Sequence, residues 1–300
     1  MISAGPAAVT VVIPCFNQAR FLPAAVRSVL AQRGPAVDCV VVDDGSSDDT
    51  VAVATQLGVR VIQQRRRGVG QARNTGLASA QTDLIVFLDA DDELTPAALA
   101  RGAAALHADP AAAAVVGRCR PITPAGELLP VRFPDVDSSD LYSEWLSRNF
   151  VWTPGAAMFR RQALIEIGGF PVGLGPAADY AVYLRLARDG RVRFIAEELV
   201  RYRQHQGSMS RNPAMMLRAT LAVLRRESRE VGAPLRDRIR RGRRCWCEWY
   251  GEQIVDAVRA SWHADRFGGA QLFALITLIR HCPRVALRHA AHKARLVVAR

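Results

Sequence analysis

The chain has 300 residues, half of them apolar, and carries a formal net charge of +12 at pH 7. This length holds one large domain or one domain with an appendage, and the apolar share is ample for a packed core. No low-complexity tract is present, so a disordered polar chain is excluded.

Val9-Thr10-Val11-Val12-Ile13-Pro14 is a continuous β-branched run, the pattern of a strand buried on both faces of a parallel sheet. Helical spacing follows from Phe21 to Gln32, and Gly34-Pro35 stops it. Val37 to Val42 is a second strand running into Asp43-Asp44-Gly45-Ser46, with a helix over Val51 to Leu57 and a third strand over Val59 to Gln63. Gly68 to Arg73 opens a helix ending near Ala80. Its G-x-G-x-x-R pattern puts Arg73 where a dinucleotide fingerprint has glycine, and in the third βα unit instead of the first. Leu84 to Leu88 is the fourth strand, and Thr95 to Ala108 is a helix.

Strands alternating with helices at this spacing predict an α/β fold with right-handed crossovers, whose ligands bind beyond the carboxyl ends of the strands. Two acidic motifs fall there: Asp43-Asp44 and Asp89-Ala90-Asp91-Asp92. A carboxylate cluster at a strand end needs a cation or water, and oxygen ligands suit Mg²⁺ or Mn²⁺. An acidic turn ahead of the next helix explains the same residues without a ligand.

Farther along, Val115 to Cys119 and Glu127 to Val131 read as two strands about a Pro124-Ala125-Gly126 turn, and Leu141 to Asn149 as a short helix. Ala156 to Phe159 reads as a strand and Arg160 to Ile167 as a helix ending at Gly168-Gly169. Asp179 opens an amphipathic helix, where the dipole favours a carboxylate. Arg193 to Ile195 and Leu199 to Tyr202 read as short strands, the second leading to His205.

From Pro213 the chain turns helical and basic, with helices over Met216 to Val231, Leu235 to Val258 and Ala270 to Ile279. Residues 211–300 hold 18 Arg and Lys293 against seven acids, the whole of the +12, while residues 1–210 are neutral. In Arg280 to Arg300, Arg284, Arg288, Lys293 and Arg295 alternate with Val285, Leu287, Leu296 and Val297, the pattern of a basic amphipathic helix at an anionic membrane surface. A solvated helical bundle has the same composition. The apolar run Leu272 to Ile279 is far short of the ~20 residues that span a membrane. No basic region and cleavage site frame the first apolar run, so no signal peptide is expected. The six cysteines include no C-x-x-C pair, which indicates neither zinc nor a disulfide framework; reduced thiols in a cytosolic protein are the default.

In order and spacing, six segments resemble the family 2 glycosyltransferases, inverting enzymes of the GT-A fold. They are Val9–Asn17 (V-V-I-P-x-F-N), Val41–Ser46 (V-V-D-D-G-S), Gly68–Gly76 (G-x-G-x-A-R-N-x-G), Val86–Asp92 (F-L-D-A-D-D), Gly168–Phe170 (G-G-F) and Asp179–Leu186, with His205-Gln206-Gly207-Ser208 similar to a closing H-x-x-S. The resemblance implies a catalytic domain over 1–210, with a mostly parallel mixed sheet flanked by helices, and a basic helical extension over 211–300. It implies that Asp44 accepts from the nucleobase imide with Asp43 beside it, that Arg73 binds the diphosphate or shapes its loop, and that Asp89 contacts the ribose or a metal-bound water. Asp91 would ligate a Mn²⁺ or Mg²⁺ bridging the phosphates, with His205 as a further ligand. Asp179 would be the general base. Pro14, Phe16, Asn17 and Ala90 complete the donor-binding set, and Trp152 and Tyr180 are expected at the acceptor.

Where the family carries Glu-Asp at the base, this sequence has Ala178-Asp179, which bears on acceptor type. The implied partners are a nucleotide-sugar donor, expected to be a UDP-sugar, a glycan or lipid-linked acceptor, and an anionic membrane at the inner face of the cell. A nucleotidyltransferase on a related fold is disfavoured because Pro14-Cys15-Phe16-Asn17 stands where its glycine-rich basic loop belongs. A nucleic-acid-binding protein is disfavoured by the neutral, carboxylate-bearing first 210 residues, so no nucleic acid is expected as partner.

Overall fold

The computed structural model of the protein describes residues 8–264 and 268–298. The β-branched runs form the strands expected of them: β1 (Val9–Cys15) is buried along its whole length, and β2 (Val37–Asp43), β3 (Arg60–Gln63) and β4 (Leu84–Phe87) follow. Between them lie α1 (Leu22–Leu30), α2 (Thr50–Gln56) and α3 (Val69–Ser79). Parallel pairing gives the order β3-β2-β1-β4, so the chain reverses its direction of growth at β1. That switch point opens a crevice past the carboxyl ends of β1, β2 and β4.

The sheet continues through β7 (Ala157–Arg160), β6 (Ala114–Ile122), β8 (Val192–Arg203) and β5 (Glu93–Leu94). Only β5 and β7 run against the other six strands. The segment entering β7 and the segment leaving β8 therefore emerge on the same rim as the carboxyl end of β4. Helices α4 (Ala98–Ala108), α5 (Leu141–Ser147), α6 (Arg161–Glu166) and α7 (Ala178–Arg188) complete this unit.

Three elements depart from the sequence reading. Helix α4 starts three residues late because Thr95 is held by β8, its amide donating to the Leu199 carbonyl and its hydroxyl to that of Glu198. The expected strand over Glu127 to Val131 is reduced to one bridge, Ile122 to Leu128; Pro130 removes a ladder donor in its middle. The two short strands expected around 193–202 are one strand, β8, with an irregular register opposite Gly117. A Cβ at Gly117 would stand 2.7 Å from the Glu197 carbonyl oxygen, so only glycine admits the close approach.

Contacts divide the chain into two units. The first runs to Trp145 and resumes over Asn149–Gln206; the second takes Leu146–Arg148 and the described residues from Gly207 onward, against a boundary expected at 210. The second unit consists of α8 (Pro213–Glu230), α9 (Ala233–His263), α10 (Gly269–His281) and α11 (Pro283–Val298). No helix among the described residues is long and apolar enough to cross a membrane. The side chains from 292 onward lie outside the described residues, and with them the expected placement of Lys293, Arg295, Leu296 and Val297.

The last glycine of the G-x-G-x-A-R-N-x-G segment is a packing residue. A Cβ at Gly76 would meet Val12 Cγ1 at 2.2 Å, so α3 lies directly on β1 with no room for a methyl group. Gly76→Ala should lower stability by about 1–3 kcal/mol through overpacking, read as a fall in the urea midpoint. Val12→Ala in the same chain should restore part of the loss; a Gly76→Ala protein as stable as the parent contradicts this packing.

Candidate functional site

The loops after β1 and β2 brace each other. Asn17, the only described non-glycine residue in the left-handed region (φ 55°), donates its amide to Ser46 Oγ at 2.8 Å and accepts from the Ser47 amide at 2.8 Å. Asparagine tolerates that conformation better than most residues. Pro14 is buried within β1, while the ring of Phe16 lies 3.8 Å below the Arg66 guanidinium. Asp43 closes its own turn, accepting from the Ser46 amide. Asp44 accepts from Gln64 Nε2 (2.6 Å) and from the amides of Arg67 (2.8 Å) and Gly68 (2.7 Å). A carboxylate offers about four acceptor positions, so one remains at Asp44 for an incoming N–H.

The acidic bend after β4 divides its carboxylates between tasks. Asp89 pairs with Arg73 at 2.8 Å. Ala90 is buried at the bend. Asp91 Oδ2 lies 2.9 Å from His205 Nε2, so the residue leaving β8 reaches the bend as expected. Asp92 is buried, accepting from Thr153 Oγ1 (2.6 Å) and the Arg203 amide (2.9 Å). Burial, then the charges of Asp91 and Asp89, push the Asp92 carboxyl well above its usual range, and burial with Asp89 raises Asp91.

Arg203 was not legible as a site residue, yet it holds this bend together. Its guanidinium is buried, donates through Nε to the Asp91 carbonyl at 2.8 Å, and pairs with Glu93. It also donates to the carbonyls of Thr123 and Pro124. Arg203 thus fixes the backbone at Asp91, whose carboxylate meets His205 directly.

Arg73 joins the bend to the start of α7. It is 3% exposed, bonded to Asp89 and packed over the Phe170 ring at 5.4 Å. Its Nε has no hydrogen-bond partner among the described residues. Burial would lower its pKa, but the charges of Asp89 and Asp179 keep it raised. Of the two roles expected for Arg73, this geometry supports shaping the loop. Asp179, 8% exposed in the first turn of α7, has its carboxyl pushed up to about 6; burial and Asp89 raise it while Arg73 opposes them. Ala178, which stands where a glutamate would precede Asp179, is buried.

Two motif segments explain each other. Asn74 donates to the Phe170 carbonyl and accepts from the Phe170 amide, both at 2.8 Å. A Cβ at Gly169 would stand 2.5 Å from Asn74 Oδ1, so G-G-F is a socket for this asparagine. Of the residues expected at the acceptor, Trp152 is half-buried beside Tyr202, with its indole N–H donating to the Asn149 carbonyl. Tyr180 is buried and donates its hydroxyl to the Trp145 carbonyl at 2.6 Å, the position of a packing residue.

The model for glycosyl transferase family 2 matches residues 10–168, more than half of the chain. The chain belongs to glycosyl transferase family 2. An uncharacterized glycosyltransferase of Nostoc sp. is 32% identical over 66% of this chain and 65% of its own length. A chondroitin synthase of Escherichia coli is 29% identical over 62% of this chain, which spans only 27% of that protein. Among solved structures, TarS of S. aureus in complex with UDP aligns with a TM-score of 0.62 at 17% identity, covering 92% of this chain and 82% of that one. The mannosyltransferase PcManGT of Pyrobaculum calidifontis, in complex with GDP-Man and Mn²⁺, aligns at 0.61 and 20% identity over 92% and 81%. These likenesses establish the GT-A fold.

In this family 2 protein, the described residues contain no preformed group of three metal-ligating side chains. Asp91 and His205 nevertheless fit a shared ion. Two adjacent ligands of an octahedral ion, each ~2.1 Å from it, lie about 3 Å apart, close to the observed 2.9 Å. Mg²⁺ and Mn²⁺ ordinarily take their remaining ligands from water and substrate phosphates. Asn74, by contrast, contacts backbone alone. Asn74→Ala should cost about 2 to 4 kcal/mol of stability by orphaning two backbone groups, measured by urea denaturation. An unchanged midpoint contradicts the socket.

Proposed function

We propose that this chain transfers a sugar from a nucleotide donor, a UDP-sugar, to a hydroxyl of a growing glycan or lipid-linked acceptor, with inversion and with the help of Mn²⁺ or Mg²⁺. The observation that carries the reading is the separation of acidic work between two places: Asp91 with His205 on one side, and Asp179 behind Arg73 on the other. UDP in the TarS complex and Mn²⁺ with GDP-Man in the mannosyltransferase complex support the donor class and the metal. The chondroitin synthase relative supports a polysaccharide product.

A sugar nucleotide carries its own leaving group, so the protein must bind it, stabilise charge on the departing diphosphate and deprotonate the nucleophile. Asp44 offers its remaining acceptor position to the base imide, and Phe16 offers a ring face to the base. Asp91 and His205 would hold the divalent ion, which supplies Lewis-acid neutralisation of the diphosphate. Arg73 holds Asp89 in place at the bend. Asp179 takes the acceptor proton as the hydroxyl attacks the anomeric carbon from the face opposite the leaving group. Its carboxyl near 6 is mostly ionised at neutral pH and still basic enough to accept a proton. The basic helices of the second unit would keep the enzyme peripheral at the inner, anionic face of the membrane, in the cytoplasm, where a lipid-linked acceptor is within reach.

Release of nucleoside diphosphate from UDP-glucose, UDP-N-acetylglucosamine and GDP-mannose tests the reading. With the donor that turns over, kcat/KM should rise tenfold per pH unit below an apparent pKa of about 6 and level off above it. Asp179→Asn should lose about 10³-fold or more in turnover and keep its donor affinity. Turnover retained in that variant contradicts the base assignment. Stability carries the opposite sign: the folded state holds a proton that the unfolded chain loses at an ordinary carboxyl value, so this residue's contribution falls as pH rises toward 6.

A further inference from the structure

The second unit contains a cavity of about 380 Å³ where α9 meets the turn between α10 and α11. Its wall is unusually cationic: Arg240, Arg243 and Arg244 come from α9 and Arg284 from the start of α11, with His281 and Cys282 of the turn completing the lining beside them. All four arginines are exposed at the surface. Glu248, the carboxylate in the lining, is engaged by Arg288 at 2.7 Å, and Asp237 pairs with Arg240 at 2.9 Å. The cluster's field is felt by its neighbours. His281 is lowered by burial and by Arg280, Arg243, Arg218 and Arg225, and the Cys247 thiol is lowered to about 7 by Cys282 and Arg243.

A second feature adjoins this cavity along the chain. Leu272, Ile276 and Ile279 recur at helical spacing on α10 and are each more than half exposed, and Leu287, one turn past Arg284 on α11, is 69% exposed. Among the described residues, seven of the twelve exposed large apolar side chains fall between Trp249 and Leu287. Helix α10 has no acidic residue. An apolar stripe beside converging guanidiniums matches the two halves of an amphiphile: fork-shaped donors for phosphate oxygens, and aliphatic surface for acyl chains. A soluble phosphate compound has no use for the stripe.

We propose that the cavity between α9 and the α10–α11 turn binds the phosphate headgroup of an anionic membrane lipid, while the outer stripe of α10 enters the adjoining acyl layer. The proposal rests on the membrane attachment suggested above and adds a defined headgroup site to it. General attraction of a basic surface to anionic lipid would involve its arginines more evenly; this site concentrates the effect on a few.

Co-sedimentation of the full chain with phosphatidylcholine vesicles, with and without a fifth of phosphatidic acid, tests it. The chain should bind the anionic vesicles, and Arg243→Gln with Arg284→Gln should weaken binding about thirtyfold, at roughly tenfold or less per arginine near the surface. Arg226→Gln with Arg229→Gln, the same charge loss on α8, should change it less than about threefold. Leu272→Ser with Ile276→Ser should also weaken binding, and 10 mM inorganic phosphate should compete only partly. Equal losses from both arginine pairs overturn the headgroup site while leaving general membrane attachment standing. No binding by the parent chain overturns the attachment as well. Indifference to the α10 substitutions with full competition by phosphate assigns the cavity to a soluble phosphate and overturns the lipid. The exposed positions chosen leave the helix packing intact, which circular dichroism of each variant checks.

Discussion

Four carboxylates crowd the carboxyl ends of β2 and β4, and their mutual repulsion is the constraint around which the first unit is built. Asp44 is compensated by backbone amides, Asp92 by a hydroxyl and an amide, and Asp89 by the Arg73 guanidinium. Asp91 is left with His205, a partner that is itself a metal ligand by chemistry. Burying carboxylates without such partners would drive them neutral. The molecule instead gives each of them a hydrogen-bond or ionic partner and buries two arginines at the same rim.

Those two arginines account for much of the architecture at the rim. Arg73 can reach Asp89 because α3 lies against β1, which Gly76 allows, and because Asn74 seats α3 in the Gly168-Gly169-Phe170 socket. Arg203 reaches the bend because β8 runs in the same direction as β4 and ends on the same rim. Conserving side-chain function at this rim therefore depends on strand direction several positions away across the sheet. Removal of the Arg73 guanidinium would take away the cation beside Asp89 and Asp179, and removal of that of Arg203 would release the Asp91 carbonyl and leave Glu93 with Arg201 alone among the described residues.

Much of the first unit was legible because its signals are local. Uninterrupted Val and Ile runs announce buried parallel strands, and acidic pairs directly after them mark the rim. The long-range terms were not legible. Arg203 and Asp92 are separated by 111 positions, and nothing in the local pattern distinguishes Arg203 from the abundant surface arginines of this chain. Strand β5 is two residues long and exists only because β8 pairs with it. Pro130 was the local signal against a strand over Glu127 to Val131. Tyr180 shows the converse error: adjacency to Asp179 in sequence turns its side chain, one position on in the helix, into the interior.

The central claim is that Asp91 and His205 admit a divalent ion that a nucleoside diphosphate completes. Calorimetric titration of the full chain with UDP, GDP and TDP, each with Mn²⁺ and with EDTA, tests it most directly. One nucleotide should bind with Mn²⁺, lose that binding in EDTA, and lose it again in Asp91→Asn with the metal present. Equal affinity in EDTA and Mn²⁺ would contradict it.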